Sequence, residues 1–323
     1  MNVQNQADTL VTIFGGSGFL GRLVVRALAK QSFRIRVAVR RPDLAGHLQP
    51  LGRVGQIHAI QANLRDPASV AAAVRGASIV INLVGILFER GRQRFEAVQA
   101  VGAETVATAA ASHGAQMIHI SAIGADEHSP AHYARSKADG ERRVLAVTPT
   151  ATIFRPSVMF GPDDDFFNKF ASMARFLPAL PLVGGGHTKF QPVFAGDVAA
   201  AIAKAALGEA KAGATYELGG PEVFSFRELM EYVLAATERR RLLAPLPFGL
   251  ARMQASFLQF LPKPPLTPDQ VDLLRADNVV SETAEHEGRT LEGLGIHPEA
   301  VQVIVPTYLW RFRKTGQFGA KMA

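Results

Sequence analysis

The chain has 323 residues, 48% hydrophobic and 20% charged, enough for a large core in one or two domains and not the composition of a disordered chain. It has no cysteine, which excludes disulfides and cysteine-based zinc or iron–sulfur sites and fits a reducing compartment. The net charge is +7, yet the Lys and Arg are scattered with no helix-turn-helix, aromatic–basic strand or zinc module, so nucleic acid is not the expected partner; an acidic cofactor, an anionic membrane surface, an acidic protein or an unspecialised basic surface each accounts for the charge.

Met1 to Asp8 is polar and carries no apolar signal-peptide core, and no apolar run reaches the length of a membrane span. Val11 to Phe14 then reads as a short apolar strand, followed by a glycine-rich turn and a helix over Phe19 to Lys30 with Leu20, Val24, Ala27 and Leu28 on one face. Gly15, Gly18 and Gly21 have the spacing G-x-x-G-x-x-G. A side chain at Gly15 or Gly18 would keep the backbone from a pyrophosphate, and one at Gly21 would hold the helix off the strand. The helix opening offers unpaired N–H groups and a positive dipole end to phosphates. Further strands are expected at Arg34 to Val39, Ile57 to Gln61, Ser78 to Val84, Gln116 to Ile120 and Ala151 to Phe154, with helices at Ala68 to Val74 (Pro67 in the first turn), Arg94 to His113 and Tyr133 to Ala146. Strands alternating with helices imply an α/β, Rossmann-type, doubly wound parallel sheet.

Beyond about Pro156, proline and glycine become frequent and the alternation fades. A smaller, irregular C-terminal substrate-side lobe is expected, with helices at Phe166 to Phe176, Gly196 to Leu207 and Phe226 to Thr237, the last opened by a Ser225/Glu228 capping box. The domains are therefore placed at 9–155 and 156–323, with the helix 196–207 packing back on the first.

Two constellations carry chemistry. The second strand ends in Arg40 and Arg41, and Arg22 follows the last glycine. A carboxylate for a ribose 2′-hydroxyl is absent there, and cations that suit a 2′-phosphate replace it, so the expected cofactor is NADP(H); the bland alternative is that these are solvated turn residues. The other constellation is Ser121, Tyr133 and Lys137. Tyr-x-x-x-Lys on a helix puts both side chains on one face, where the ammonium favours the phenolate and makes Tyr133 a usable acid or base, and Ser121 ends the fifth strand, where its hydroxyl can orient a carbonyl. The histidines show no metal spacing. His119 is expected to be a buried, hydrogen-bonded histidine, and Asp163-Asp164-Asp165 reads as a loop and helix start; no metal site is expected.

Together these residues resemble the short-chain dehydrogenase/reductase superfamily in its extended or atypical branch. The resemblance implies a cofactor cradle from Gly15, Ser17, Gly18, Phe19, Leu20, Gly21 and Arg22, and catalytic roles for Ser121, Tyr133 and Lys137, the last two also touching cofactor. Asn63 and Leu64, in Asn63-Leu64-Arg65-Asp66, match the segment near the adenine, with Asn63 in place of the usual acid. Val84 and Gly85 sit where the family lines the cofactor after the fourth strand. Pro156 and Ser157, in Arg155-Pro156-Ser157-Val158-Met159-Phe160-Gly161-Pro162, border the nicotinamide, with Phe160 in place of tyrosine. Ser121-Ala122-Ile123-Gly124-Ala125, the run Tyr133 to Glu141, Leu261 to Val271 (including Lys263) and Asp277 to Val280 are similar to the nucleotide-binding accessory subunits of respiratory complex I and their bacterial relatives. That implies a tightly held, structural NADPH, complex I partners near the membrane-arm junction, and a peripheral place on the cytoplasmic side of the inner membrane. The alternative is an active NADP-dependent reductase, epimerase or dehydratase on a small carbonyl or sugar-nucleotide substrate; a redox-sensing regulator shares every motif.

The segment 245–262 is apolar over most of a short helix, too short to span a bilayer. It is a candidate membrane-surface contact, a partner contact or a cap on its own lobe. The basic run Trp310 to Lys314, with Lys321, could help binding to an anionic surface.

Overall fold

The computed structural model describes residues 3–262, 264–314 and 316; Lys263 and Lys321 lie outside the described residues. In chain order, β1 (Leu10–Phe14), α1 (Phe19–Lys30), β2 (Arg34–Val39), β3 (Ile57–Gln61), α2 (Pro67–Val74), β4 (Ile79–Asn82), α3 (Val101–Ser112), β5 (Gln116–Ile120), α4 (His132–Val147) and β6 (Thr152–Pro156) alternate as the residues predict. The chain continues through α5 (Phe167–Phe176), β7 (Ala179–Val183), α6 (Ala195–Ala206), β8 (Thr215–Leu218), α7 (Phe226–Ala236), β9 (Leu242–Leu246), α8 (Phe248–Leu258) and α9 (Pro268–Leu273).

Seven strands form one parallel sheet in the order β8-β6-β5-β4-β1-β2-β3. The order reverses between β1 and β4, the switch point at which open α/β sheets bind ligands. Phe14, Ala38, Val80 and Met117 turn to one face and pack with Val70 and Val74 of α2, Val106 of α3 and Val144 of α4. Residues one position along, such as Ile13 and Val37, turn to the opposite face, beside Val25 of α1.

Three local readings change. Thr215–Leu218, passed over in the sequence, is the seventh strand, with Tyr216 opposite Phe154. The helix expected at Arg94 opens instead with a π turn over Glu96–Ala100 before α3. A Cβ on Gly140 of α4 would sit 2.2 Å from the Gln99 carbonyl oxygen, so α4 packs backbone-close on that turn. The predicted apolar helix at 245–262 is shorter, because Pro245 and Leu246 belong to β9, which pairs parallel with β7.

The chain forms two compact units. The first runs up to Pro156 and includes Gly196–Leu218 and Glu282–Ile296; the second takes Ser157–Ala195, Gly219–Ser281 and the described residues from His297 on. Gln116 Nε2 donates to the Ala205 carbonyl at 2.9 Å, tying α6 to β5. The second unit is built round an aromatic core in which Phe166 meets Phe167, Phe170 and Phe226 edge-on. There α7 starts at the Ser225/Glu228 capping box, and Asp164 is buried, accepting from Gly161 N, Asn168 N and the Tyr308 hydroxyl. Among the described residues, no helix is long and apolar enough to cross a membrane.

Candidate functional site

The turn after β1 is shaped by its glycines. Gly15 has φ +80°, and a Cβ on Gly21 would lie 2.3 Å from the Gly15 carbonyl oxygen, so α1 closes onto the turn only with glycine there. The helix N-terminus at Gly18 has no side-chain cap, an arrangement that suits an anion. Ser17, Phe19, Leu20 and Arg22 surround it. The Arg22 Nε lies 3.4 Å from the Gly18 carbonyl oxygen. Across the switch point, Val84 stands against Gly15: a Cβ there would be 3.2 Å from Val84 Cγ2.

Arg40 is exposed just past β2. Arg41, also exposed, forms an ion pair with Asp43 at 2.7 Å, which supplies a nearby carboxylate that the sequence reading did not weigh. Asn63 holds its own loop: its Oδ1 accepts from Arg65 N at 3.2 Å. Leu64 packs beside α3, about 3 Å from where a Gly102 Cβ would stand.

Deeper in the first unit, Ser121, Tyr133 and Lys137 are held from β5 and α4. Lys137 is buried, and its Nζ donates to the Ile120 carbonyl at 3.1 Å and lies 5.9 Å from the Tyr133 ring centroid. A Cβ on Gly85 would be 3.4 Å from that Nζ, which puts the loop after β4 over the amine. Burial pushes the Lys137 amine down to about 8, only partly opposed by Glu141. Tyr133 packs edge-on against Phe95 with ring centroids 5.8 Å apart.

His119 is buried and hydrogen-bonded as expected, but the rest of the polar layer around it was not predicted. Asn82 Oδ1 accepts from Val84 N at 3.1 Å, which fixes its amide; Nδ2 then faces His119 Nδ1 at 3.3 Å. His119 is therefore the neutral tautomer carrying its proton on Nε2. Burial, with Lys137 adding to it, pushes His119 down to about 3. Its Nε2 and the Ser121 Oγ are buried without a protein partner. Gln99 in the π turn donates to Ser136 Oγ at 2.8 Å and accepts from Ile86 N, joining α4 to the loop after β4. Polar Asn82 inside an otherwise apolar strand was the signal for this layer.

The two ends of the Arg155-Pro156-Ser157 motif part. Arg155 makes a bidentate pair with buried Glu141 at 2.9 and 2.6 Å, with Glu217 at 3.6 Å, and so clamps α4, β6 and β8. Pro156 ends β6. Ser157 begins the second unit, where its hydroxyl lies 2.7 Å from Asn278 Oδ1.

A glycine cradle at the switch point, an uncapped helix start and buried unpartnered polar atoms beside Lys137 fit a nicotinamide dinucleotide. The model of the NAD dependent epimerase/dehydratase family matches residues 11–219. The chain belongs to that family. Along nearly its whole length it is also similar to two complex I subunits. It is 36% identical to the mitochondrial NADH dehydrogenase (ubiquinone) 1 alpha subcomplex subunit 9 of Arabidopsis thaliana, over 97% of this chain and 81% of that protein. It is 30% identical to the mitochondrial NADH-ubiquinone oxidoreductase 40 kDa subunit of Neurospora crassa, over 95% of this chain and 80% of that one. Among solved structures, the NADPH-dependent quinone oxidoreductase of Escherichia coli, complexed with NADPH, superposes with a TM-score of 0.73 over 93% of this chain and 99% of that chain. At 19% identity this shows the Rossmann-like fold of the epimerase/dehydratase family member and nothing finer.

Proposed function

We propose that this family member is an accessory or assembly subunit of respiratory complex I that holds NADP(H) mainly as a structural cofactor. One observation carries the reading. The family model ends at residue 219, whereas the likeness to the complex I subunits spans 97% of the chain and therefore takes in the second unit. The sequence motifs add a place near the membrane-arm junction, peripheral on the cytoplasmic side of the inner membrane. Gly15, Ser17, Gly18, Phe19, Leu20 and Gly21 would cradle the pyrophosphate, Asn63, Leu64, Val84 and Gly85 the adenosine side, and Tyr133, Lys137, Pro156 and Ser157 the nicotinamide side. NADP(H) rather than NAD rests on Arg22, Arg40 and Arg41 where a carboxylate is usual. A binding titration tests it: a ten-fold preference for NADH would overturn the assignment.

A second reading is an active reductase, epimerase or dehydratase, favoured by the complete Ser121/Tyr133/Lys137 set and by the amine pushed down to about 8. Tyr133 would then hand a carbonyl oxygen its proton while the Ser121 hydroxyl orients it. The deciding experiment is to solubilise native membranes gently, capture the chain and identify co-purifying chains and nucleotide. Complex I subunits arriving with retained NADPH support the accessory reading. The chain arriving alone with freely exchanging nucleotide refutes it, and carbonyl substrates are then screened with Tyr133→Phe as control.

A further inference from the structure

The cations that look scattered along the sequence do not stay scattered in the fold. Three separate segments of the second unit, 172–178, 238–242 and 312–314, meet at one corner. Arg241 Nε donates to the Ala174 carbonyl at 2.9 Å, and Leu242 N to the Pro178 carbonyl at 3.2 Å. Arg239 Nε donates to the Phe312 carbonyl at 2.9 Å, and Arg313 Nε to the Ala236 carbonyl at 3.0 Å. These segments hold Arg175, Arg239, Arg240, Arg241, Arg313 and Lys314 against a single carboxylate, Glu238, which pairs with Arg313. Six cations against one acid is a net +5, so most of the chain's +7 sits at this corner. The crowding is felt within it, because Arg241 and Arg175 both depress the Arg239 guanidinium, after burial.

Large apolar side chains stand in the same place. Phe176 is 76% exposed and Leu242 is 74% exposed, with exposed Leu177 between Phe176 and Pro178. Arg175 lies over the Phe176 ring, 5.4 Å from its centroid. Aromatic and aliphatic side chains standing clear of a dense cationic patch are a poor solution for bulk water. They match a surface with anionic headgroups above and hydrocarbon below. An acidic protein would satisfy the guanidiniums but would also need an apolar patch placed against Phe176 and Leu242, whereas an anionic bilayer offers both layers at once.

We infer that the Arg175/Arg239–Arg241/Lys314 corner, with Phe176 and Leu242, docks on an anionic lipid surface. This contact adjoins the 245–262 segment through β9, which holds both Leu242 and Pro245; it uses none of the residues assigned to the nucleotide and needs no other subunit. Electrostatic attraction near such a surface is worth roughly fivefold in partitioning per cation.

The chain carries its own reporter, since its one tryptophan, Trp310, adjoins the corner. The full chain is titrated with vesicles of phosphatidylcholine alone and of phosphatidylcholine mixed with phosphatidylglycerol, followed by sedimentation and Trp310 emission. Binding with a blue shift on the mixed vesicles only, released at about 0.5 M salt, is the expected result. Arg175→Gln with Arg240→Gln removes two exposed charges and should weaken partitioning roughly 25-fold, two cations at fivefold each. Phe176→Ser keeps every charge and should weaken it about tenfold through lost apolar burial. Equal binding to both vesicle types, or unchanged binding by the folded double variant, overturns the inference. So does the absence of vesicle binding alongside capture by polyglutamate, which would assign the corner to an acidic protein. Should either variant fail to fold, the salt and lipid dependence of the unmodified chain decides alone.

Discussion

Replacing Lys137 by methionine separates what the buried amine costs the empty protein from what it gives the loaded one. Lys137 is 5% exposed, and its amine is held at about 8 rather than 10.5. Charging it at neutral pH therefore costs the fold about 3 kcal/mol relative to the unfolded chain. Methionine keeps the length and packing but forfeits the bond to the Ile120 carbonyl, worth about 1 kcal/mol. The nucleotide-free variant should then be more stable by about 2 kcal/mol, or about 3 °C in midpoint for a chain of this size. The sign with pH is fixed. Below about 8 both folded and unfolded wild type carry the proton, and the full penalty stands. Between about 8 and 10.5 only the unfolded chain holds it, so wild-type stability rises with pH and the variant's advantage fades. NADPH affinity should fall about 10- to 100-fold with the loss of one charge-assisted contact. The assay is thermal unfolding of nucleotide-stripped protein at several pH values, with an NADPH titration beside it. A lower midpoint in the variant, or an advantage that persists above pH 10.5, would refute this account of Lys137.

Other outcomes follow from the same geometry. Wild-type stability should drop by about 2 kcal/mol between pH 6.5 and 5, because His119, held down to about 3, stays neutral in the fold while the unfolded histidine takes a proton; urea midpoints against pH check it, with His119→Met expected to flatten the slope. Arg155→Met should cost about 3–5 kcal/mol in chemical denaturation by leaving buried Glu141 without its bidentate partner, and Glu141→Gln in the same background should recover part of that loss. Gly21→Ala drives a methyl to within 2.3 Å of the Gly15 oxygen and should abolish measurable NADPH binding in calorimetry, with a stability loss of about 1–3 kcal/mol.

The first unit was legible because each of its signals is local. Mostly apolar four- to seven-residue runs set the six strands, and the G-x-x-G-x-x-G turn and Tyr133/Lys137 spacing need only neighbours along the chain to be read. The seventh strand was not, since Thr-Tyr-Glu-Leu at 215–218 is too short to stand out and gains its identity from pairing with β6, some sixty residues earlier. Glu282–Ile296 joins the first unit for the same reason. The π turn at Glu96–Ala100 is set by the close approach of Gly140, which no periodicity encodes. In the segment 245–262 the apolar residues do not share one buried face. The helix buries its small Ala251 and Ala255 and leaves Leu250, Met253 and Phe257 outward. Charge misled most: a count along the sequence cannot see that residues 175, 239–241 and 313–314 converge.

Lys137 and His119 also bear on why a nucleotide would be kept without turnover. Each is a buried group whose charged form is disfavoured, and His119 Nε2 and Ser121 Oγ have no protein partner. A ligand that meets these atoms turns an expense of the fold into an interaction. A ligand that binds only the native state at about a thousand times its dissociation constant adds about 4 kcal/mol. A chain loaded to that level would be the more stable form whether or not a hydride ever moves. The stabilisation should therefore survive Tyr133→Phe, which removes the phenolic hydroxyl but leaves Lys137, the glycine turn and the layer beneath them in place. Thermal midpoints of both proteins with saturating NADPH give the answer. An equal rise in wild type and variant is what a structural cofactor requires. A rise seen only in wild type would mean that the phenol itself holds the nucleotide, and Tyr133 would then be a binding residue first and an acid second.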